Sequence, residues 1–356
     1  MLKQRLRNSS AFDLITSNQL SYALDSGAHS VYMQMVVKRD GGSIERKYDV
    51  IRSQAFKDYV ERYIEYCHEH ADRLRFVVNL DVIGNAELTW ELQKYLEENG
   101  LNPVPVFHNG EDFKWLRRYM DDHDYIGIGG LGQFSAKASY IAHADKIFRL
   151  LSNPDGSPKY KTHGFAVTSP ELVARFPWYT IDSSTWCTNT RYGRVLIPKV
   201  RNHNGEFRYT YTRSPAPVRT SDRAFELGAK DHLHRHSEQE QRVLTEYLES
   251  HIKPLVGPRY LELLSKEYWA RDIANGHFFM ELQREAKELA EQRWGYGEGC
   301  NVFLAGAPAV HDVPTMRTVY TKLMRSGCLN LLGTFFYPRV FNNAMAAFPN
   351  YQRDPQ

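Results

Sequence analysis

Three aspartates follow apolar stretches of the chain, at points where strands of a sheet would end. Asp25 closes the segment SYALD, Asp81 follows RFVVNL, and Asp182 follows WYTI. The carboxyl ends of parallel strands share one face of an α/β enzyme, where catalytic groups are placed. Carboxylates on that face can transfer protons or attack carbon. The alternative for Asp182 is an aspartate that only caps a loop, and for Asp25 it is an ordinary Asp-Ser-Gly turn.

Other polar or backbone-exposing groups follow the remaining strand candidates, and we expect them to lie on the same face. They are Ser26 beside Asp25, Asn109 between His108 and Gly110, the backbone of Gly129, Gly130 and Leu131, and His163. Each of these features is weak alone, because Asn-Gly, for example, is common in turns. Their shared placement predicts a polar pocket.

The segment GIGGLG, at positions 127–132, matches the GxGxxG pattern of dinucleotide-binding proteins. It lies deep in the strand–helix series, and no clear strand ends in an acidic residue about 20 positions later, as that motif requires. We therefore reject a dinucleotide site and expect glycines that let a flat ligand approach the backbone.

An apolar β-type run, a polar turn and an amphipathic helix recur from Arg75 onward, which predicts parallel strands with crossover helices. Counting SYALDSG upstream, six strand ends precede residue 183, and NVFLAGAP and CLNLLGTFFY are two further strand candidates. We predict a TIM-type (β/α)8 barrel formed by residues 1–184 and 299–356, with a long, partly helical insertion at 185–298. An open doubly wound sheet is the alternative.

The insertion begins with a basic segment interleaved with the aromatic residues Tyr192, Phe207, Tyr209 and Tyr211. Cations that meet phosphates and rings that stack on bases are typical of a nucleic-acid groove, and a solvated β-hairpin is the alternative. The candidate contacts are Arg191, Arg194, Lys199, Arg201, Arg208 and Arg213, followed by Arg219 and Arg223. Two helical stretches follow, from Ser237 to about His251 and from Arg259 to about Gln292, and we interpret them as packing elements.

The composition, 42% hydrophobic and 24% charged over 356 residues, is that of an ordinary folded protein with no disordered bulk. No apolar run approaches the roughly 20 residues of a membrane helix, and no apolar segment follows the basic N-terminus, so neither a membrane span nor a secretory signal is expected. Four scattered cysteines predict free thiols in a reducing compartment, so we expect a cytoplasmic protein. The net charge of +3 does not by itself indicate nucleic acid.

A histidine-rich segment, DHLHRHSE, contains His232, His234 and His236. These side chains could ligate a metal ion, but a loop leading into a helix capped by Ser237 is the interpretation we favour. Whether the cluster binds metal stays open.

Taken in order, the motifs resemble those of the queuine and archaeosine tRNA-guanine transglycosylases and, more closely, their DNA-directed relatives, the DpdA family of deazapurine DNA modification proteins. The resemblance extends over roughly residues 20 to 195. It implies proton transfer by Asp25 and base contact by Ser26 in LDSGAHS, with His29 in place of the usual stacking aromatic. Base recognition would fall to Asp81 in NLDVIG, Asn109 for the family's glutamine, the backbone of Gly129, Gly130 and Leu131, and His163. The nucleophile's place in TIDSSTWCTNTRYG is taken by Asp182.

Two departures from the family favour DNA over tRNA as the substrate. The tRNA enzymes hold a structural zinc in a CxCxxC run with a downstream His-Asn pair, whereas this chain has no such run, and Ala274 stands in the ligand's position in IANGHFF. The chain also begins close to its Asp-Ser-Gly motif. We therefore expect no zinc and no other cofactor.

The resemblance implies a pentosyltransferase that exchanges guanine in DNA for a 7-deazaguanine, the 7-cyano form or a relative, through a covalent Asp-sugar intermediate. Its expected partners are DNA and the free 7-deazaguanine base, and a homodimer or accessory protein stays open. Because family members are common in phage genomes, the cytoplasm of an infected host cell is one expected location. The alternatives are the same exchange on tRNA, a non-catalytic nucleic-acid-binding barrel, and a barrel glycosidase in which Trp178 and Trp186 stack on sugars.

Overall fold

A computed structural model describes residues 21–28, 51–72, 74–130, 137–167, 169–204, 206–305, 319, 323 and 330–334 of the chain. The predicted site residues His29 and Leu131 lie outside the described residues. The described residues form a mixed α/β structure, which confirms the predicted α/β class. Its described residues belong to two compact units, one within Tyr22–Gly127 and Leu332–Gln356, the other within Met1–Ser21 and Ile128–Leu331.

The first unit alternates strands and helices, as the sequence pattern predicts. Its order is β1 (Ser21–Asp25), α1 (Gln54–Glu69), β2 (Leu74–Val77), α2 (Ala86–Glu98), β3 (Val106–His108) and α3 (Phe113–Asp122), and the next strand, β4 (Tyr125–Gly129), begins in this unit and ends in the second. Each of its helices begins at a side chain that accepts a backbone N–H, namely Ser53, Asn85 and Asp112. Strand β1 pairs with β2 in parallel, and a parallel bridge joins the segments that flank β2 and β3.

Helix α1 packs against β1 and β2 and fixes the segments at their ends. One face of the helix is buried in a cluster with Leu24 and Leu80. The phenol of Tyr59 donates to the carbonyl of Ser26 at 2.6 Å, and the phenol of Tyr63 donates to the carbonyl of Val78 at 2.7 Å. Because both carbonyls lie just past strand ends, these buried bonds fix the backbone that carries Asp25 and Asp81.

The second unit contains a five-stranded sheet. Its elements before the predicted insertion are α4 (Lys137–Leu151), β5 (Lys161–Gly164), α5 (Pro170–Arg175) and β6 (Thr180–Ser183), and after it β11 (Asn301–Ala305) and β12 (Asn330–Thr334). The strand order is β12-β11-β6-β5-β4, and β6 is parallel to both β5 and β11. In this register Asp182 lies opposite Phe303, and His163 lies opposite Thr180.

The predicted insertion lies within the second unit and opens with two short antiparallel sheets. Its elements are α6 (Thr185–Arg191), β7 (Arg194–Ile197), β8 (Lys199–His203), β9 (Glu206–Thr210), β10 (Ala216–Arg219), α7 (Asp222–Glu226), α8 (Glu238–Tyr247), α9 (Lys253–Val256), α10 (Tyr260–Lys266) and α11 (Tyr268–Trp294). Strand β7 pairs with β10, and β8 pairs with β9. Ser237 caps α8 in a reciprocal box with Glu240, as expected. The boundaries of the insertion as a separate domain stay a prediction.

Helix α11 joins the insertion to the sheet of the second unit, because it packs against both β7 and β11. Its first half is buried on all sides, whereas only scattered positions are buried after Met280. Among the helices that the structure describes, none is both long and apolar enough for a membrane crossing.

Candidate active site

Asp182 lies at the end of β6 with 7% of its surface exposed. Its Oδ1 accepts a hydrogen bond from the backbone N–H of Ala166 at 2.7 Å and lies 3.5 Å from Nε2 of His163. The other ring nitrogen of His163, Nδ1, lies 2.6 Å from the hydroxyl oxygen of Thr180. Among the described residues, no donor reaches Oδ2 of Asp182. One carboxylate oxygen is therefore held in place by a backbone donor.

The loop after β5 presents Ala166 to Asp182 in a strained conformation. Ala166 has a φ of 52°, in the left-handed region that a residue with a Cβ adopts at a cost of about 1–2 kcal/mol. Such strain persists where the surroundings over-determine it, and functional sites are common among those places. In this loop the strained conformation directs the backbone N–H of Ala166 toward the carboxylate of Asp182. No pattern in the sequence identifies this alanine, because its side chain plays no part.

Gly164, at the end of β5, allows the same loop to pack closely. A Cβ at this position would lie 2.6 Å from Cγ2 of Val167 and 2.9 Å from Cζ3 of Trp178. Both distances are too short for real contacts, so glycine is required by packing. Gly129 ends the neighbouring strand β4 and is buried, and Gly130 follows with a φ of 75°. Two glycines therefore lie at the end of β4, and the approach of a ligand to their backbone stays a prediction.

Asp81 lies in a buried charge cluster of the first unit. Its Oδ2 is 2.7 Å from Nε2 of His108, while Oε1 of Glu111 is 3.6 Å from Nδ1 of the same ring. The second oxygen of Glu111 accepts the backbone N–H of His108 at 3.0 Å. The side chains of Asp81, His108 and Glu111 are 9%, 11% and 6% exposed. An imidazole therefore lies between two carboxylates.

This arrangement makes His108 a cation at neutral pH. Burial acts to lower the pKa of His108, but attraction to Asp81 and then to Glu111 outweighs it and raises the pKa to about 10. The imidazolium holds one oxygen of Asp81 in place. We did not predict Glu111 as a site residue. The signal for it was the spacing in HNGED, which places an acid three residues after a histidine at a strand end.

Asp25 is the last residue of β1 in the first unit, and Ser26 follows it. Asp25 is half-buried and Ser26 is fully buried, and Gly27 turns the chain with a φ of 76°. The hydroxyl of Ser26 accepts the N–H of Ala28 at 3.4 Å. Burial, and then the Asp25 carboxylate, raise the pKa of the Tyr59 phenol, which places Asp25 close to that ring. Asn109 is half-buried in the turn after β3.

The predicted site residues therefore form two sets, one in each unit. The second unit brings Asp182 and His163 together beside the strand that ends in Gly129, with Phe165 N donating to Ile128 O at 3.0 Å. The first unit places Asp25 at the end of β1, and Ser26, Asp81 and Asn109 in the segments that follow β1, β2 and β3. The residues missed by sequence reasoning are Ala166, Thr180 and Glu111.

The predicted nucleic-acid residues differ in their surroundings. Arg201 lies opposite Arg208 in the β8–β9 hairpin, and Lys199 lies opposite Thr210. Arg213 is exposed beside a cavity of about 630 Å³, and Arg191 is exposed at the end of α6. Arg194 instead lies 3.5 Å from the Asp231 carboxylate, which Arg219 also contacts.

The aromatic residues of the basic segment are not all available for stacking. Tyr211 is 3% exposed, and Tyr209 packs against the rings of Tyr247 and His251. Tyr192, by contrast, is 61% exposed. Tyr211 therefore leaves the candidate stacking surface, since a buried ring cannot meet a base, whereas Phe207 and Tyr209 are half-buried.

The histidine-rich segment has a structural role in the described chain. His232 is 2% exposed, and its Nδ1 accepts the N–H of His234, so it caps a short 3₁₀ turn. Asn275, in the segment that resembles the family's His-Asn pair, binds Leu196 N through Oδ1 and reaches three acceptors through Nδ2. Within the described ranges, no group of three or more His, Cys, Asp or Glu side chains could hold a metal ion.

The two tryptophans that flank Asp182 in sequence belong to the core. Trp178 and Trp186 are both 0% exposed, and their indole N–H groups donate to the carbonyls of Leu172 and Ala305. A sugar-stacking tryptophan needs an open ring face, so neither residue supports the glycosidase alternative.

No protein-family model, no curated protein and no solved structure matches this chain.

Proposed function

We propose that the protein is a base-exchange transglycosylase that replaces guanine in DNA with a 7-deazaguanine. The observation that carries the proposal is the carboxylate of Asp182, which is buried at a strand end and held through one oxygen by the Ala166 N–H. A carboxylate fixed in this way keeps its second oxygen ready for attack, as a nucleophile in covalent catalysis must.

The reaction proceeds by two displacements at the anomeric carbon. Asp182 attacks C1′ of the target nucleotide, the bond from C1′ to guanine N9 breaks, and its electron pair leaves with guanine. Protonated Asp25 donates the proton that makes the leaving base neutral. The incoming 7-deazaguanine then gives its N9 proton to Asp25 and attacks C1′, which expels the Asp182 carboxylate. Two inversions give net retention of configuration, the same logic that retaining glycosidases use.

The motif resemblance assigns recognition of the purine to several polar and backbone groups. Asp81 accepts hydrogen bonds from the guanine edge through the oxygen that His108 does not occupy, and Asn109, Ser26 and His163 supply further polar contacts. Gly129 and Gly130 offer bare backbone, and we also assign base contacts to His29 and Leu131 from the motif resemblance. Since C1′ and the base edge are inaccessible inside a duplex, the target nucleotide is flipped out, at a cost of a few kcal/mol.

We further propose that the parallel strands form a TIM-type barrel. The support is the repeated strand–helix alternation, with parallel pairing of β1 to β2 and of β5 and β11 to β6. A cytoplasmic location is in keeping with the thiols of Cys67, Cys187 and Cys300, which are free and buried.

The proposal is tested by guanine exchange. The full chain is incubated with radiolabelled guanine and either DNA or tRNA, and label in the polymer is counted. We expect incorporation into DNA, none with Asp182→Ala, and parent activity with Asp121→Asn, a variant at an exposed aspartate of α3. Incorporation into tRNA alone would show that the substrate is tRNA and not DNA. Equal labelling by the parent and Asp182→Ala would remove Asp182 as the nucleophile, and no labelling of either polymer would favour a non-catalytic binding protein.

A further inference from the structure

A basic cavity of about 740 Å³ lies in the second unit, between the β7–β10 sheet and the start of α11. Its lining includes Arg191, Arg219, Arg223, Lys266 and Arg271 against the carboxylate of Asp222. Arg219 is engaged by Asp231 and Lys266 by Glu262, whereas Arg191 and Arg223 are exposed and have no ion pair among the described residues. The cavity therefore carries an excess of positive charge, part of it uncompensated.

Arg271 is the feature that distinguishes this cavity from a solvated basic surface. It is 2% exposed, and its Nη1 donates to the carbonyls of Leu264 and Ser265. Its Nε is buried without a hydrogen-bond partner among the described residues. Asp272 and Glu267 attract the guanidinium, but its hydrogen bonds go to the two carbonyls. A buried N–H without an acceptor is unfavourable, so an unsatisfied guanidinium at a cavity wall indicates that an anion binds there.

Exposed apolar side chains surround the same cavity. Tyr192, Leu227 and Tyr268, which are 61%, 77% and 53% exposed, all line it. They make up half of the large hydrophobic side chains that the described chain exposes. The guanidinium of Arg271 lies 4.9 Å from the ring centre of Tyr268. Bases of a single strand stack on exposed aromatic rings, and its phosphates bind cations. Solvent-facing rings beside cations can make both kinds of contact.

One short helix separates this cavity from Asp182 along the chain. Helix α6 begins at Thr185, directly after β6, and ends at Arg191 in the cavity wall. Its seven residues correspond to a length of about 10 Å at a rise of about 1.5 Å per residue. A short stretch of single strand spans such a distance.

We propose that this cavity binds a nucleotide adjoining the target in single-stranded or locally opened DNA. The phosphate lies against Arg271, Arg191 and Arg223, and the base stacks on Tyr192 or Tyr268. This inference rests on the proposed function, because it takes the strand that carries the target guanine as the ligand. It also assigns a binding role to α11, a helix that the sequence indicated only as a packing element.

The test measures binding of a short fluorescent single-stranded oligodeoxynucleotide to the full chain by anisotropy at several salt concentrations. We expect Tyr192→Ala and Tyr268→Ala each to weaken binding about fivefold or more. The double variant Arg191→Ala/Arg223→Ala should reduce the slope of log K against log salt by about 2. The controls Tyr95→Ala and Arg242→Ala, at exposed positions away from the cavity, should bind as the parent does. Arg271→Lys tests the buried position. If Arg271→Lys fails to fold, the variants at the exposed residues still test the proposal.

Three results would overturn the assignment. They are parent-like binding by all the cavity variants, complete displacement of the oligonucleotide by millimolar inorganic phosphate, and tighter binding of RNA of the same sequence. DNA binding through the cavity without any guanine exchange would contradict the proposed function and leave the cavity assignment standing.

Discussion

His108 and Asp81 form a buried ion pair in which Nε2 of the ring lies 2.7 Å from Oδ2 of the carboxylate. Glu111 approaches the opposite side of the ring, so the pair belongs to a cluster with two acids and one cation. The cluster links the segments that follow β2 and β3, and it holds Asp81 in one orientation. A residue that reads a purine edge needs this kind of fixed carboxylate.

The first prediction concerns pH. The pKa of His108 is raised from 6.5 to about 10, so protonation of His108 stabilises the folded chain fully below about pH 6.5, and this contribution is lost as pH rises through 10. The expected loss is on the order of a few kcal/mol. Urea unfolding at pH 6, 8 and 10 measures it. The loss should be much smaller in His108→Gln, while His68→Gln, at an exposed histidine of α1, should behave as the parent. Equal pH dependence in parent and His108→Gln would contradict the ion pair.

The second prediction concerns the strained loop. Ala166→Gly removes the Cβ at a φ of 52° while keeping the N–H that binds Asp182. The relief of about 1–2 kcal/mol is partly offset by the greater freedom of glycine in the unfolded chain, so we expect a net gain of about 0.5–1 kcal/mol. Urea denaturation of the two proteins gives this difference. A loss of stability would show that Ala166 does not adopt the left-handed conformation.

The third prediction concerns packing beneath the same loop. Gly164→Ala would place a methyl group against Val167 and the buried ring of Trp178, and overpacking of this kind costs about 1–3 kcal/mol. The double variant Gly164→Ala/Val167→Ala removes one of the two clashes and should recover part of the loss. Thermal unfolding of the three variants, with Val167→Ala as the reference, measures the coupling. Strict additivity would contradict the close contact.

The fourth prediction concerns Asn275, whose side chain ties α6 to β7 through four hydrogen bonds. Asn275→Ala leaves the N–H of Leu196 and several acceptors unsatisfied, so we expect a loss of about 2–4 kcal/mol. Asn153→Ala, which removes an exposed amide that bonds to Ser157, should cost less than about 1 kcal/mol. Denaturant midpoints distinguish the two. A loss at Asn275 no greater than at Asn153 would remove its structural role.

The strand–helix alternation could be predicted because it depends on local pattern. Apolar runs, amphipathic helices and the cap at Ser237 are visible in the sequence, and the structure has the elements in the expected order. The positions of Asp25, Asp81 and Asp182 after strands follow from the same pattern.

The contacts of the site could not be predicted, because they depend on side chains that meet across the fold. The ion pair of His108 with Asp81 joins residues 27 positions apart, and the bond from Ala166 to Asp182 depends on a backbone angle. The segment with Tyr209 and Tyr211 is uniform by composition, yet in the structure Tyr211 is buried, Tyr209 is half-buried and Tyr192 is exposed. Likewise, the charge of Arg271 was visible in the sequence, but the burial of its unsatisfied Nε was not.

The central claim is that Asp182 forms a covalent bond with the sugar. Mass spectrometry of a denatured, protease- and nuclease-digested mixture of the protein with DNA tests it most directly. The account predicts a deoxyribose-linked adduct on the peptide that contains Asp182, absent from Asp182→Ala and removed by adding free guanine before denaturation. An adduct on another residue, or guanine exchange without any adduct under rapid acid quenching, would contradict it.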